Sequence, residues 1–96
     1  MKMDGYLYIL QSQKSGRYYT GSASDPDRRL SQHNSNGVKS TRNKGPWNRV
    51  ALIRLVDLQQ AKKAEQHIKK QKSRKIVESV IKNEYSWPET IAHLFS

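Results

Sequence analysis

A chain of 96 residues is bounded to one domain with a modest core, and a mean hydropathy of -0.94 keeps much of it in water. The 18 Lys+Arg against 8 Asp+Glu leave a net charge of +10, which opposes compaction and points to a polyanionic partner, nucleic acid before an anionic membrane. The absence of cysteine excludes disulfides, cysteine-ligated zinc, iron–sulfur clusters and thiol catalysis.

Tyr6 to Leu10 alternates aromatic and aliphatic residues and reads as a strand. Gln13 to Gly16 is a turn, and Arg17 to Ser22 reads as the partner strand of a hairpin. Pairing in register brings the Tyr8 and Tyr19 regions together. Asp25-Pro26 signals a helix start, because Asp25 can cap free N–H groups and Pro26 suits the first helical position. That helix is predicted from about Pro26 to about Asn34. Asn34 to Pro46 is polar, basic and glycine-containing, hence a loop. Trp47 to Val56 carries "RVALIRLV" and reads as a central strand with apolar residues on both faces.

Asp57 caps a helix predicted over about Leu58 to Lys72, and another follows over about Arg74 to Asn83. Pro88 begins a short final turn ending near Phe95. The order β-β-α-β-α-α predicts an α+β fold, a small, mainly antiparallel three-stranded sheet flanked by helices. One domain is expected over residues 1–96, with its core at about 6–83 and a short helical tail. No apolar run approaches a membrane span, and the N-terminus lacks a signal-peptide apolar region. The expectation is a cytoplasmic protein with no membrane partner.

On the second predicted helix, spacings of three and four join Leu58, Ala61, Glu65 and Ile68 on one face. An unpartnered buried carboxylate is costly. Glu65 therefore either pairs with a lysine or arginine at the stripe's edge, or faces a cleft and holds a cation. His33, His67 and His93 lack ligand spacing, so a metal here is expected to be a hard cation on oxygen. One carboxylate is sufficient for Mg²⁺, which keeps most of its waters. Arg29 and His33 lie four apart and share a helix face, and a guanidinium there suits a phosphate. Arg28 points about 100 degrees away and reads as solvated or touching a nucleic acid backbone. Gly21 permits a close approach of backbone or substrate, or a bulge.

"YLYIL", then "YTG" at Tyr19 to Gly21, then "DRRLSQH", then a glutamate on a later helix, resembles the GIY-YIG nuclease family in its small single-domain bacterial form. The basic "VKSTRNKGPW" loop and the "AEQHIKKQKSRKI" helix extend the resemblance from about Tyr6 to Asn83. It departs where Tyr6-Leu7 replaces Gly-Ile and where Thr20 replaces the second Ile. The resemblance implies metal-dependent hydrolysis of a phosphodiester. It matches Tyr8, Tyr19, Arg29, His33 and Glu65 to the catalytic residues, with Glu65 as the metal ligand for Mg²⁺ or, as a substitute, Mn²⁺. It implies a DNA endonuclease of structure-selective or non-specific type, the alternative being a silent nucleic-acid-binding module of the same fold. The partner expected is DNA, duplex or branched, or RNA, with a protein partner as a source of specificity.

In this reading Tyr8 is the general base on water, helped by Tyr19 or His33. A free tyrosine titrates near 10, so only about 0.1% is phenolate at pH 7. Nearby Mg²⁺, Arg29 and the basic surface are expected to lower that value, and activity to rise above neutral pH. Arg28, Lys39, Arg42, Lys44, Lys62 and Lys69 are the residues expected to follow a phosphate backbone. Trp47 is expected to pack at the sheet edge rather than to stack a base.

Overall fold

The computed structural model describes residues 4–92. Strand β1 (Gly5–Ser12) and strand β2 (Tyr18–Ala23) form a hairpin, followed by helix α1 (Pro26–Asn34). A 3-10 turn at Lys39–Thr41 interrupts the loop to strand β3 (Trp47–Leu55). Helices α2 (Leu58–Gln71), α3 (Arg74–Ile81) and α4 (Glu89–Ala92) complete the described chain. The predicted ending near Phe95 lies outside the described residues.

The sheet is antiparallel throughout, in the order β2-β1-β3. The central strand is thus β1, not β3 as its apolar run suggested. The physical reason lies in the neighbours. In β1, Leu7, Tyr8, Ile9 and Leu10 are all buried, so both faces are covered. In β3, Leu52 stays 43% exposed and Asn48 and Arg54 face water, so this strand tolerates an edge. The register of β3 slips between Ile9 and Leu10, which pair with Ala51 and Arg49 and leave Val50 as the extra residue of a bulge.

The alternation of β1 divides the core. Leu7 packs with Leu55, Ala61 and Ala64, and Ile9 with Ile68 and Val80, beneath α2 and α3. Tyr8 and Leu10 point the other way and pack with Trp47, Tyr19 and Leu30 beneath α1 and its loop. Trp47 is indeed packing, at 5% exposure.

The caps are those the sequence implied. Asp25 accepts from the Arg28 N–H and Asp57 from the Gln60 N–H, so each carboxylate satisfies a donor that the first helical turn leaves free. Helix α2 ends at Gln71 because Lys72 adopts a left-handed conformation, φ 48°, as its C-terminal cap. Helix α3 ends at Ile81, two residues short of the expected Asn83, which has φ 59° and donates its N–H to the Val80 carbonyl.

Candidate active site

The site forms where the edge strand β2 meets a helix from each side of the sheet. Tyr8 sits opposite Gly21 in the β1–β2 register, and the Tyr8 and Tyr19 rings are 6.5 Å apart. The hairpin therefore brings the two tyrosines together as predicted. Gly21 is needed for this contact. A Cβ there would stand 2.5 Å from both the Cζ and the hydroxyl oxygen of Tyr8, so the phenol occupies the space a side chain would take.

Helix α1 supplies the next layer. His33, 1% exposed, faces the Tyr8 ring edge-on and lies 5.1 Å from the Tyr19 ring centre. The Tyr8 hydroxyl and His33 Nε2 are 2.9 Å apart, and His33 Nδ1 lies 2.7 Å from Thr41 Oγ1. Arg29, one helical turn before His33, sets its positive charge beside the Tyr8 phenol and donates through Nη1 to Gln32 Oε1 at 3.1 Å. The shared face of Arg29 and His33 is thus turned to one tyrosine.

Burial governs the proton positions. It pushes the Tyr8 phenol up to about 12, against the lowering contributed by Arg29, with Tyr19 and Glu65 adding to the rise. Among the protein's own groups, desolvation outweighs the guanidinium, opposite to the lowering expected from Arg29 and the basic surface. Burial, with the Arg29 charge beside it, takes His33 down to about 4. At neutral pH the phenol is protonated and the imidazole is neutral.

Helix α2 supplies the carboxylate. Glu65 is 13% exposed at its side chain, and one oxygen accepts from Ser22 Oγ at 2.5 Å. The other accepts from Lys69 Nζ at 2.5 Å, with Lys69 one turn further along the helix. The lysine pairing expected of a stripe-edge glutamate is thus present, and the residue also borders the site. Lys69, among the cations expected to follow a phosphate backbone, lies at the site itself, its ammonium 5.5 Å over the Tyr19 ring. The carboxylate of Glu65 and the hydroxyl of Ser22 are oxygen donors of the kind Mg²⁺ takes with its retained waters, and the Lys69 ammonium holds one of those carboxylate oxygens in this structure. No cluster of three or more His, Asp or Glu exists among the described residues.

An open groove of about 380 Å³ runs alongside, lined by Ser22, Ser24, Arg28, Arg29, Gln32 and Lys62 among others. Arg28 joins Arg29 in it, although their helical directions differ. Lys62 also borders a second groove, of about 600 Å³, with Lys63, His67 and Lys70. The loop cations Lys39, Arg42 and Lys44 are exposed. Arg42 Nε donates to the Asn36 carbonyl and Lys44 Nζ to the Ser40 carbonyl, so both also hold the loop in shape.

Sequence reasoning missed Ser22, Gln32 and Thr41. Strand alternation pairs Ser22 with Leu7, on the α2 face, and that period is a usable signal. Thr41 has none, because the loop fold alone returns it to His33. Also unforeseen is a second aromatic group, in which His67 Nε2 lies 2.8 Å from the Tyr85 hydroxyl and Trp87 packs on both rings.

The family description "GIY-YIG catalytic domain" matches residues 4–85. The UPF0213 protein BH0048 of Halalkalibacterium halodurans is 39% identical over 74 residues, 76% of this chain and 78% of that one. The solution NMR structure of the UPF0213 protein BH0048 from Bacillus halodurans aligns with a TM-score of 0.53 at 35% identity, covering 85% of this chain and 86% of that one. No helix among the described residues is long and apolar enough to cross a membrane.

Proposed function

We propose, since this chain belongs to the GIY-YIG nuclease family, that it is a metal-dependent DNA endonuclease of structure-selective or non-specific type. The observation that carries the reading is that the Tyr8 hydroxyl and His33 Nε2, 2.9 Å apart, sit with the Arg29 cation beside the Arg28–Arg29–Lys62 groove, whose wall residue Ser22 donates to Glu65.

A phosphate of the strand would lie in the groove, with its non-bridging oxygens on the Arg29 guanidinium, which can donate two parallel hydrogen bonds. Tyr8 would take a proton from the attacking water. With its pKa near 12 the phenol is almost never ionised beforehand at pH 7. Its own proton must therefore leave as the water's arrives, and His33 Nε2 stands 2.9 Å away to accept it. Tyr19 walls the site and orders water or phosphate. Glu65, with Ser22 beside it, would hold Mg²⁺ or Mn²⁺, which supplies charge neutralisation at the phosphate and the departing 3′ oxygen. DNA, duplex or branched, is the proposed partner and RNA a further substrate class.

One observation favours the alternative, a silent nucleic-acid-binding module: both Glu65 oxygens are already engaged, by Ser22 and Lys69. End-labelled single-stranded, duplex, flap and four-way DNA, incubated with Mg²⁺, Mn²⁺ or EDTA, separates the two. Cleavage that needs metal and disappears in Glu65→Ala and Tyr8→Phe is expected. Salt-sensitive binding with no cutting of any substrate would establish the binding module instead.

A further inference from the structure

The Tyr8–His33 pair can pass a proton in one direction only if the imidazole is held as one tautomer. Nε2 must carry the lone pair, so Nδ1 must carry the hydrogen. Thr41 is the group on Nδ1, at 2.7 Å and 1% exposed. A hydroxyl can donate to this nitrogen or accept from it, so its own proton decides. Thr41 Oγ1 donates to the Val38 carbonyl, 3.4 Å away, and its lone pairs are left for Nδ1–H.

The other end of the chain agrees. The Tyr8 hydroxyl has His33 Nε2 2.9 Å away as the acceptor for its hydrogen, and the Arg29 cation on the same helix face favours the phenol oxygen as an acceptor in turn. The opposite tautomer would turn the Thr41 hydroxyl hydrogen to Nδ1 and withdraw it from the Val38 carbonyl. Thr41 itself is fixed. Its N–H donates to the Val38 carbonyl at 3.2 Å, and its carbonyl accepts from Trp47 Nε1 at 3.4 Å.

We infer that Thr41 is a positioning residue whose hydroxyl holds His33 with its proton on Nδ1 and its lone pair aimed at the Tyr8 hydroxyl. Its value for catalysis rests on the nuclease reading above; the tautomer assignment rests on geometry alone. The 3-10 turn thereby becomes part of the site, because Lys39–Thr41 is the segment that carries this hydroxyl to the helix.

Nitrogen-15 NMR of the imidazoles at neutral pH tests the assignment without any substrate. Wild type and Thr41→Ser should show the His33 proton on Nδ1, and Thr41→Val should lose that preference. Single-turnover cleavage of a labelled duplex should fall about 10- to 100-fold in Thr41→Val at unchanged DNA affinity, as when an outer partner of an active histidine is removed. Thr41→Ser should stay within about threefold of wild type. A wild-type proton on Nε2 overturns the inference, as does a Thr41→Val protein with wild-type tautomer, whatever its rate. Should Thr41→Val fail to fold, the wild-type spectrum and the Thr41→Ser rate still decide. A wild type that cuts nothing refutes the nuclease reading, and the spectrum then decides the tautomer by itself.

Discussion

Gly21→Ala places a methyl group where the Tyr8 phenol now stands. The added carbon would lie 2.5 Å from Tyr8 Cζ, 2.5 Å from its hydroxyl oxygen and 3.0 Å from Cε1. Non-bonded carbons rest at about 3.5–4.0 Å, so the ring must retreat by about 1 Å. Little room exists for that, since Tyr8 is 2% exposed and packed among Leu10, Trp47, Tyr19 and Leu30. A movement of that size stretches the 2.9 Å contact with His33 past hydrogen-bonding range. A misplacement of about 1 Å at reacting groups costs roughly 100-fold in rate, or about 2.7 kcal/mol of barrier. Overpacking should cost a further ~1–3 kcal/mol of stability. Single-turnover cleavage with saturating protein, run beside a thermal melt, measures both. A folded Gly21→Ala protein that cuts within about threefold of wild type would refute the placement of Tyr8 as the group handling the proton.

Three further outcomes are expected. Stability should fall on acidification: the folded pKa of His33 is depressed to about 4 against 6.5 unfolded, so the unfolded chain binds more protons between those values and stability rises with pH there. This one group removes about 2 kcal/mol between pH 7 and pH 5, and urea titrations of wild type and His33→Gln at both pH values should differ by that amount. With Tyr8 near 12 and His33 near 4, neither group titrates between pH 6 and 9, so the cleavage rate at saturating metal should be flat there. A tenfold rise per pH unit would restore a pre-ionised phenol. DNA affinity should fall with a log-salt slope near −5 if about six phosphates are contacted, and Arg28→Ala or Lys62→Ala should each reduce it by about 0.9. A flat salt response would show that the groove does not follow the backbone.

Much of the fold was legible because its signals are local. Asp25-Pro26 and Asp57 set the helix starts, and alternation within β1 and β2 set the hairpin. The central strand was misassigned because an apolar run reports burial potential, whereas sheet order depends on which neighbours arrive. The hairpin claims one side of β1, and α1 carries the chain across so that β3 takes the other. In the site, Arg29 and His33 were readable from helical spacing, and Glu65 from its place on an apolar stripe. The tyrosine's proton affinity was not, because burial acts largely through atoms contributed by Tyr19, Leu30 and Trp47, distant in sequence. The pairing of Lys69 with Glu65 was not legible either, because a count of lysines does not show which one folds back, one turn along, onto a carboxylate.

The position of β1 between two partners also ties the lifetime of the site to that of the fold. Amides on a strand bonded along both edges exchange with solvent through near-global opening, whereas helix ends and edges fray at far lower cost. Tyr8 rides on that innermost strand, so its seat survives until the domain as a whole gives way. Glu65 and Ser22 are joined across a helix and an edge strand, a contact that can part sooner. On warming, the carboxylate side of the cleft is thus the first to loosen, and a protease probing α2 would sense the change before deuterium reached the backbone beneath the phenol.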